Sequence, residues 1–292
     1  MKQVGHIFKV CVFLILHYLV ASALAYLIYA GISYLVNKRI DAGLQESNQW
    51  LMAIMYALNI FFLIFLFRQN RPAFFKAFHK SPVNVLLYSL YGLIFTNIFI
   101  AALYGILFLF TDIQFAYKGE SFAVLSKWFV MLYFAAMLEE VLCRNLMLDR
   151  LINEKGYNPL LVLITSSLLF SLLHLFNDNF SVIPFINIVL VGIIFGIVYL
   201  KYKNIYLVTA IHFFWNYITG LVLGSHVSGI AMPSVLTYNL SADSLISGGA
   251  FGIEGSIILL LLQVLVIAAF TPFLLQLNNN YKVKSCHCDI LA

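Results

Sequence analysis

Eight apolar runs, near 8–35, 51–67, 83–110, 122–148, 159–176, 183–200, 205–223 and 256–277, take up most of this 292-residue chain. A helix needs roughly 20 apolar residues to cross the hydrocarbon core of a bilayer, and runs of about that length follow one another here with short gaps. Composition agrees, since 63% hydrophobic and 10% charged residues leave too few polar groups to cover a water-soluble globule. The reading is an all-α polytopic membrane protein of about eight transmembrane helices, forming one domain over 1–292 with the lipid bilayer as its first partner. No Pro/Gly/Ser-rich linker, repeat or low-complexity tract divides it. The separation of 159–176 from 183–200 rests on the polar break Asn177-Asp178-Asn179 with Pro184 beyond it.

Cytoplasmic loops of membrane proteins are enriched in Lys and Arg, which tests the span count independently. With the N-terminus inside, the inner segments carry Lys2, Lys9, Arg68, Arg71, Lys76, Lys80, Arg150, Lys155, Lys201, Lys203, Lys282 and Lys284. The outer side carries only Lys38, Arg39, Lys118 and Lys127. This asymmetry predicts both termini in the cytoplasm and a tail over 278–292 on the same side. The net charge of +5 then reflects topology and calls for no nucleic-acid partner. Lys2 and Lys9 before an apolar run, with Ala23-Leu24-Ala25 beyond, have the order of a signal peptide. The apolar stretch runs about ten residues past Ala25, too long for a signal h-region, so a retained helix is expected.

The four cysteines, Cys11, Cys143, Cys286 and Cys288, have no spacing that implies a disulfide framework. Cys286-His287-Cys288 supplies too few ligands for a closed metal site and is read as part of a solvated tail. Cys288 lies one position too far from the C-terminal end of the sequence for a prenylation box.

Three polar clusters interrupt the apolar runs: Glu139-Glu140 with Arg144, Ser171 and His174 after Phe170, and His212 with Asn216. One charged side chain at the bilayer centre costs on the order of 3 kcal/mol, so several at similar depth need a shared reason, and an intramembrane active-site cavity is the expectation. Glu140 and Arg144 are four residues apart and can pair on one helix face, lowering the cost of burying both. Glu139 points about 100° away, free of that partner and available as a general base. Phe170 and His174 share a face, as do His212 and Asn216. The latter two can donate hydrogen bonds to a carbonyl oxygen as it gains charge, while Phe213-Phe214-Trp215 between them is expected to face lipid or pack against helices.

Depth is a partial check. At 1.5 Å rise per residue, Glu139 is expected about 14 Å from the cytoplasmic end of its run, His212 about 11 Å, Asn216 about 17 Å and His174 about 22 Å. Three agree, and His174 requires a helix that tilts or begins below the membrane surface.

At these residues the chain resembles the CAAX proteases and bacteriocin-processing enzymes, the Abi family of intramembrane proteases that includes type II CAAX prenyl endopeptidases. Its signature reads E-E-x-x-x-R, F-x-x-x-H and H-x-x-x-N or D, matched in order by Glu139-Glu140 with Arg144, Phe170 with His174, and His212 with Asn216. The resemblance covers a catalytic helix core over about 122–223. It implies peptide-bond hydrolysis in the membrane, with Glu139 and His174 activating water, His212 and Asn216 stabilising the oxyanion, and Glu140, Arg144 and Phe170 supporting the site. No cofactor is expected, although Glu139, His174 and His212 form an alternative Zn²⁺ ligand set with one open position. The chain lacks H-E-x-x-H, the helical spacing that puts two histidines on one metal.

The expected substrate is a membrane-associated peptide or protein, and the expected location is a bacterial cell membrane, where the resemblance implies peptide maturation, bacteriocin self-immunity or signalling. Two other classes compete. A transporter would bury charges along a substrate path, but no internal repeat is visible. A non-catalytic immunity or scaffold protein would keep the motif without turnover.

Overall fold

A computed structural model describes residues 2–37, 49–68, 78, 80–240 and 244–290. The chain is an integral membrane protein built almost entirely of helices: α1 Lys2–Asn37, α2 Gln49–Arg68, α3 Pro82–Phe110, α4 Phe122–Glu140, α5 Arg150–Asn153, α6 Pro159–Leu172, α7 Val182–Tyr202, α8 Ile205–Asn216, α9 Ser244–Ser247, α10 Ile257–Ala269 and α11 Thr271–Ile290. Helix α4 runs without interruption through a π-helical segment, Val141–Asp149, into α5, and α8 continues as a second one, Tyr217–Val222. Local sequence sets the starts. Ser81, Ser121, Asn158, Asn204 and Ser256 each accept a hydrogen bond from a first-turn N–H, and Pro82 and Pro159 occupy first-turn positions whose N–H would lack a partner anyway.

Each of the eight apolar runs is helical, but they differ in reach. Gln3–Leu24, Pro82–Phe110, Phe122–Asn153, Val182–Tyr202 and Ile205–Val222 are long and apolar enough to cross a membrane among the described residues. Ile257–Ala269 and Thr271–Tyr281, bent by 52°, form a further span if taken as one. Met52–Ile64 and Pro159–Leu172 are shorter apolar helices. Helix α6 stops at Leu172, earlier than the expected 176, because the chain turns through His174, and Asn177 Nδ2 then donates to the Ser228 carbonyl at 2.9 Å.

Burial orders the bundle. In α7 and α8, 56% and 61% of the span is buried within the protein, against 11% in α1, so α7 and α8 are central and α1 peripheral. Val162, Leu163, Ile197, Val208 and Leu146 belong to the main core, while Phe108, Leu109, Phe110 and Phe122 stay exposed as a lipid-facing apolar belt. Close approach needs glycine at two places. A Cβ on Gly92 of α3 would lie 2.6 Å from the Ala210 Cβ of α8, and one on Gly192 of α7 would lie 3.0 Å from the Ser167 Cβ of α6.

The all-α reading did not include a two-stranded antiparallel sheet, in which β1 Gln114–Tyr117 pairs with β2 Leu236–Asn239, Gln114 opposite Asn239 and Tyr117 opposite Leu236. The pairing gathers the α3–α4 connection, the 224–255 segment and, through Asn177, the α6–α7 turn at one end of the bundle. At the other end Lys203 Nζ reaches Asp149 Oδ1 at 3.1 Å, and the Tyr206 hydroxyl donates to the Phe78 carbonyl at 3.1 Å. These are the two groups of segments that the charge pattern assigns to opposite sides. The backbone of the expected 278–292 tail is helical as far as Ile290. The side chains from 282 on, Cys286-His287-Cys288 among them, lie outside the described residues, as do Lys38, Arg39, Arg71 and Lys76.

Candidate active site

Glu139 and Glu140 close α4, and the π-helical segment begins at the next residue. Wide turns of this kind concentrate at functional sites, and the second one likewise starts directly after Asn216. Arg144, inside the first, brings Nε to 3.0 Å from Glu140 Oε2, and both side chains are 0% exposed. Glu140 has a second task that its spacing from Arg144 did not reveal: its Oε1 accepts from His212 Nδ1 at 3.0 Å. One carboxylate thus ties α4 to its own next turn and to α8.

Phe170 is the packing centre of the group. The Arg144 guanidinium lies 4.9 Å from its ring centroid and 5.7 Å from that of Phe195. The His212 ring sits 5.6 Å from Phe170 and 5.2 Å from Phe195. The His174 ring lies 5.2 Å from Phe170, tilted against it, and donates from Nδ1 to the Phe170 carbonyl at 2.9 Å. His174 lies in the turn just past α6 rather than on the helix, yet the four-residue spacing still brings the two rings together.

Glu139 faces the two imidazoles. Its Oε2 is 4.0 Å from His174 Nε2 and 3.8 Å from His212 Nε2, and the side chain is 23% exposed where Glu140 is sealed. In both histidines Nδ1 is committed to a fixed acceptor, so Nε2 is the ring nitrogen left facing Glu139. Glu139, His174 and His212 meet in spite of the depth mismatch. The helix carrying Glu139 runs on to Asn153 instead of ending near 148, which puts that carboxylate about 21 Å from its end at 1.5 Å per residue. Helix α8 begins inside the protein, with Asn204 and Ile205 1% and 0% exposed.

His174, His212 and Asn216 line one cavity between α3, α7, α8 and α10. Several lining residues went unread in the sequence. Trp215, expected among the lipid-facing or packing aromatics, lines this cavity and donates from Nε1 to Glu254 Oε1 at 2.7 Å. Phe213 packs as expected, 4.7 Å from Phe129. Glu254 was invisible as a site residue because it lies 38 positions beyond Asn216 in a glycine-rich segment; an acid among glycines and apolar residues was the one available signal. Tyr18 of α1 and Tyr56 of α2 pack against the main core.

Tetrahedral zinc holds its N and O ligands about 3.4 Å from one another. Glu139 Oε2 stands farther from both Nε2 atoms, and no group of three or more His, Cys, Asp or Glu among the described residues is placed to hold a metal ion.

Residues 121–218 match the family model described as type II CAAX prenyl endopeptidase Rce1-like. Over that segment the chain is similar to the CAAX-protease family. The match begins one residue before α4 and ends two residues beyond Asn216, so it takes in Glu139, Glu140, Arg144, Phe170, His174, His212 and Asn216. No curated protein and no solved structure matches the chain. The matched segment leaves α1–α3, the 224–255 segment, α10 and α11 outside it.

Proposed function

We propose that this protein is an intramembrane endopeptidase that hydrolyses a peptide bond of a membrane-associated peptide or protein without a metal. The observation that carries the proposal is the convergence of Glu139 Oε2 with the Nε2 atoms of His174 and His212 at 4.0 and 3.8 Å, too long for direct hydrogen bonds and suited to one small molecule between them. A water there donates one hydrogen bond to Glu139 and another to His174 Nε2. Glu139 takes its proton as the water oxygen attacks the scissile carbonyl carbon. The carbonyl π electrons move to oxygen, and the resulting oxyanion is met by Asn216 Nδ2–H and by Nε2–H of a protonated His212. Two carboxylates against one guanidinium leave one negative charge in the buried group, which the imidazolium balances. The tetrahedral intermediate collapses with C–N cleavage, and Glu139 returns the proton to the leaving amine.

Glu140, Arg144 and Phe170 act through His212 and His174 by holding the rings in place. A bacterial cell membrane with both termini in the cytoplasm is the proposed setting, and peptide maturation, self-immunity or signalling the proposed role. The deciding experiment uses purified full-length protein in lipid nanodiscs with a library of internally quenched apolar peptides. Cleavage that survives prolonged chelation, in protein without stoichiometric zinc, is the expected result. About one zinc per chain, lost with activity on chelation and restored with it, overturns the glutamate mechanism. Unchanged cleavage by Glu139→Gln overturns the site.

A further inference from the structure

Beyond the Glu139–His174–His212 group, the same cavity is lined by polar groups that the proposed hydrolysis does not use. Asn187 of α7 is 1% exposed and lines the cavity. Its Nδ2 donates to the backbone carbonyls of Glu254 at 2.7 Å and Ser256 at 2.9 Å, which fixes the amide orientation, because the reverse flip would set oxygen against oxygen. Oδ1 is thereby left without a donor. Gln263 of α10, 3% exposed, lines the cavity as well, and its Oε1 also lacks a donor. Glu254, 8% exposed, completes the group. Its carboxylate accepts from Trp215 Nε1 at 2.7 Å, Ser228 N at 2.6 Å and Ser228 Oγ at 3.0 Å, but no basic side chain among the described residues pairs with it.

Buried acceptors are normally paired, and a buried carboxylate normally has a counter-charge. Two orphan amide oxygens and a carboxylate at the Glu254 end of the cavity present acceptors and negative charge with no basic side chain paired to them. An ammonium is the complement, with three N–H donors and no acceptor. The apolar walls given by Ile188, Val191 and Leu259 suit the aliphatic stem that carries such a group.

We propose that Asn187, Gln263 and Glu254 form a subsite that takes a basic side chain of the substrate, an ammonium or guanidinium group on an aliphatic stem. The inference rests on the peptide-substrate reading above and names the residue class that the enzyme selects near the scissile bond.

The test reads binding, so it does not depend on turnover. In full-length protein in nanodiscs, Trp50→Phe and Trp128→Phe leave Trp215, hydrogen-bonded to Glu254, as the remaining tryptophan. Its fluorescence is titrated with octylammonium and with octanol. Octylammonium is expected to bind about 10-fold more tightly, as charge-assisted hydrogen bonds require. Glu254→Gln is expected to remove most of that preference, and Glu139→Gln to leave it intact. Asn187→Leu cuts two bonds to the 254–256 backbone and can fail to fold. Gln263→Leu removes an oxygen that bonds nothing in the protein, and it should weaken octylammonium binding at unchanged thermal stability. Equal binding of the two probes overturns the subsite, as does a preference lost in Glu139→Gln and kept in Glu254→Gln. Selective octylammonium binding by a protein that cleaves no peptide upholds the subsite and overturns only the hydrolytic reading.

Discussion

Glu139 and Glu140 are chemically identical neighbours with opposite surroundings, 23% and 0% exposed. Glu140 is engaged by Arg144 and His212, so Glu140→Gln strands a buried guanidinium and loosens an imidazole together. Its expected cost is about 3 to 5 kcal/mol, read as lower abundance and a lower unfolding temperature in nanodiscs. Glu139→Gln should remove at least about 100-fold of the turnover at normal abundance, since its Oε2 has no hydrogen-bond partner to lose. Equal stability of the two variants removes the distinction. His212→Gln keeps one N–H donor and should retain more activity than His212→Leu, whose loss of an oxyanion donor is expected at about 100-fold to 1,000-fold. The intrahelical pair was legible in the sequence because spacing on a helix dictates it. The His212–Glu140 bond was not, because 72 positions separate its partners and only packing brings them together.

At the scale of elements, the α6–α7 contact holds the His174 turn in place. A Cβ at Gly192 would meet Ser167 Cβ at 3.0 Å and its Cα at 3.1 Å, so Gly192→Val should separate the helices at a cost of about 1 to 3 kcal/mol. Gly105 of α3 has nothing within 4 Å of its Cβ position. Gly105→Val is therefore the control, expected to leave the unfolding temperature nearly unchanged, and equal loss in both variants would show that helix propensity, not contact, is responsible. Helix starts were readable because Ser, Asn and Pro act locally. Helix ends were less so: α6 stops at Leu172 and α4 passes straight into a π-helical turn for reasons that lie in neighbouring elements. The β1–β2 pair was equally hidden, being two four-residue segments from distant connections.

For the whole molecule, the charge asymmetry and the two-ended grouping of connections make one prediction. The 224–255 segment, which has no Lys or Arg, belongs outside, so a reporter fused after Ser234 should be active only when exported. Activity in the cytoplasm overturns the N-inside arrangement. That the chain is a helical membrane protein follows from sequence alone, because lipid leaves backbone N–H and C=O groups no partners except those within a helix or a closed barrel. The signature residues follow from sequence too, since charges do not persist in apolar runs without a use. Tertiary structure decided what sequence could not. It carried His174 and His212 to the same carboxylate, gave Glu140 its second partner, and laid the Glu254 segment against Trp215 and Asn187. The division has one physical reason. Spacing along a helix and burial in lipid act within one segment, whereas contacts across the bundle depend on how helices of unequal length and depth pack together.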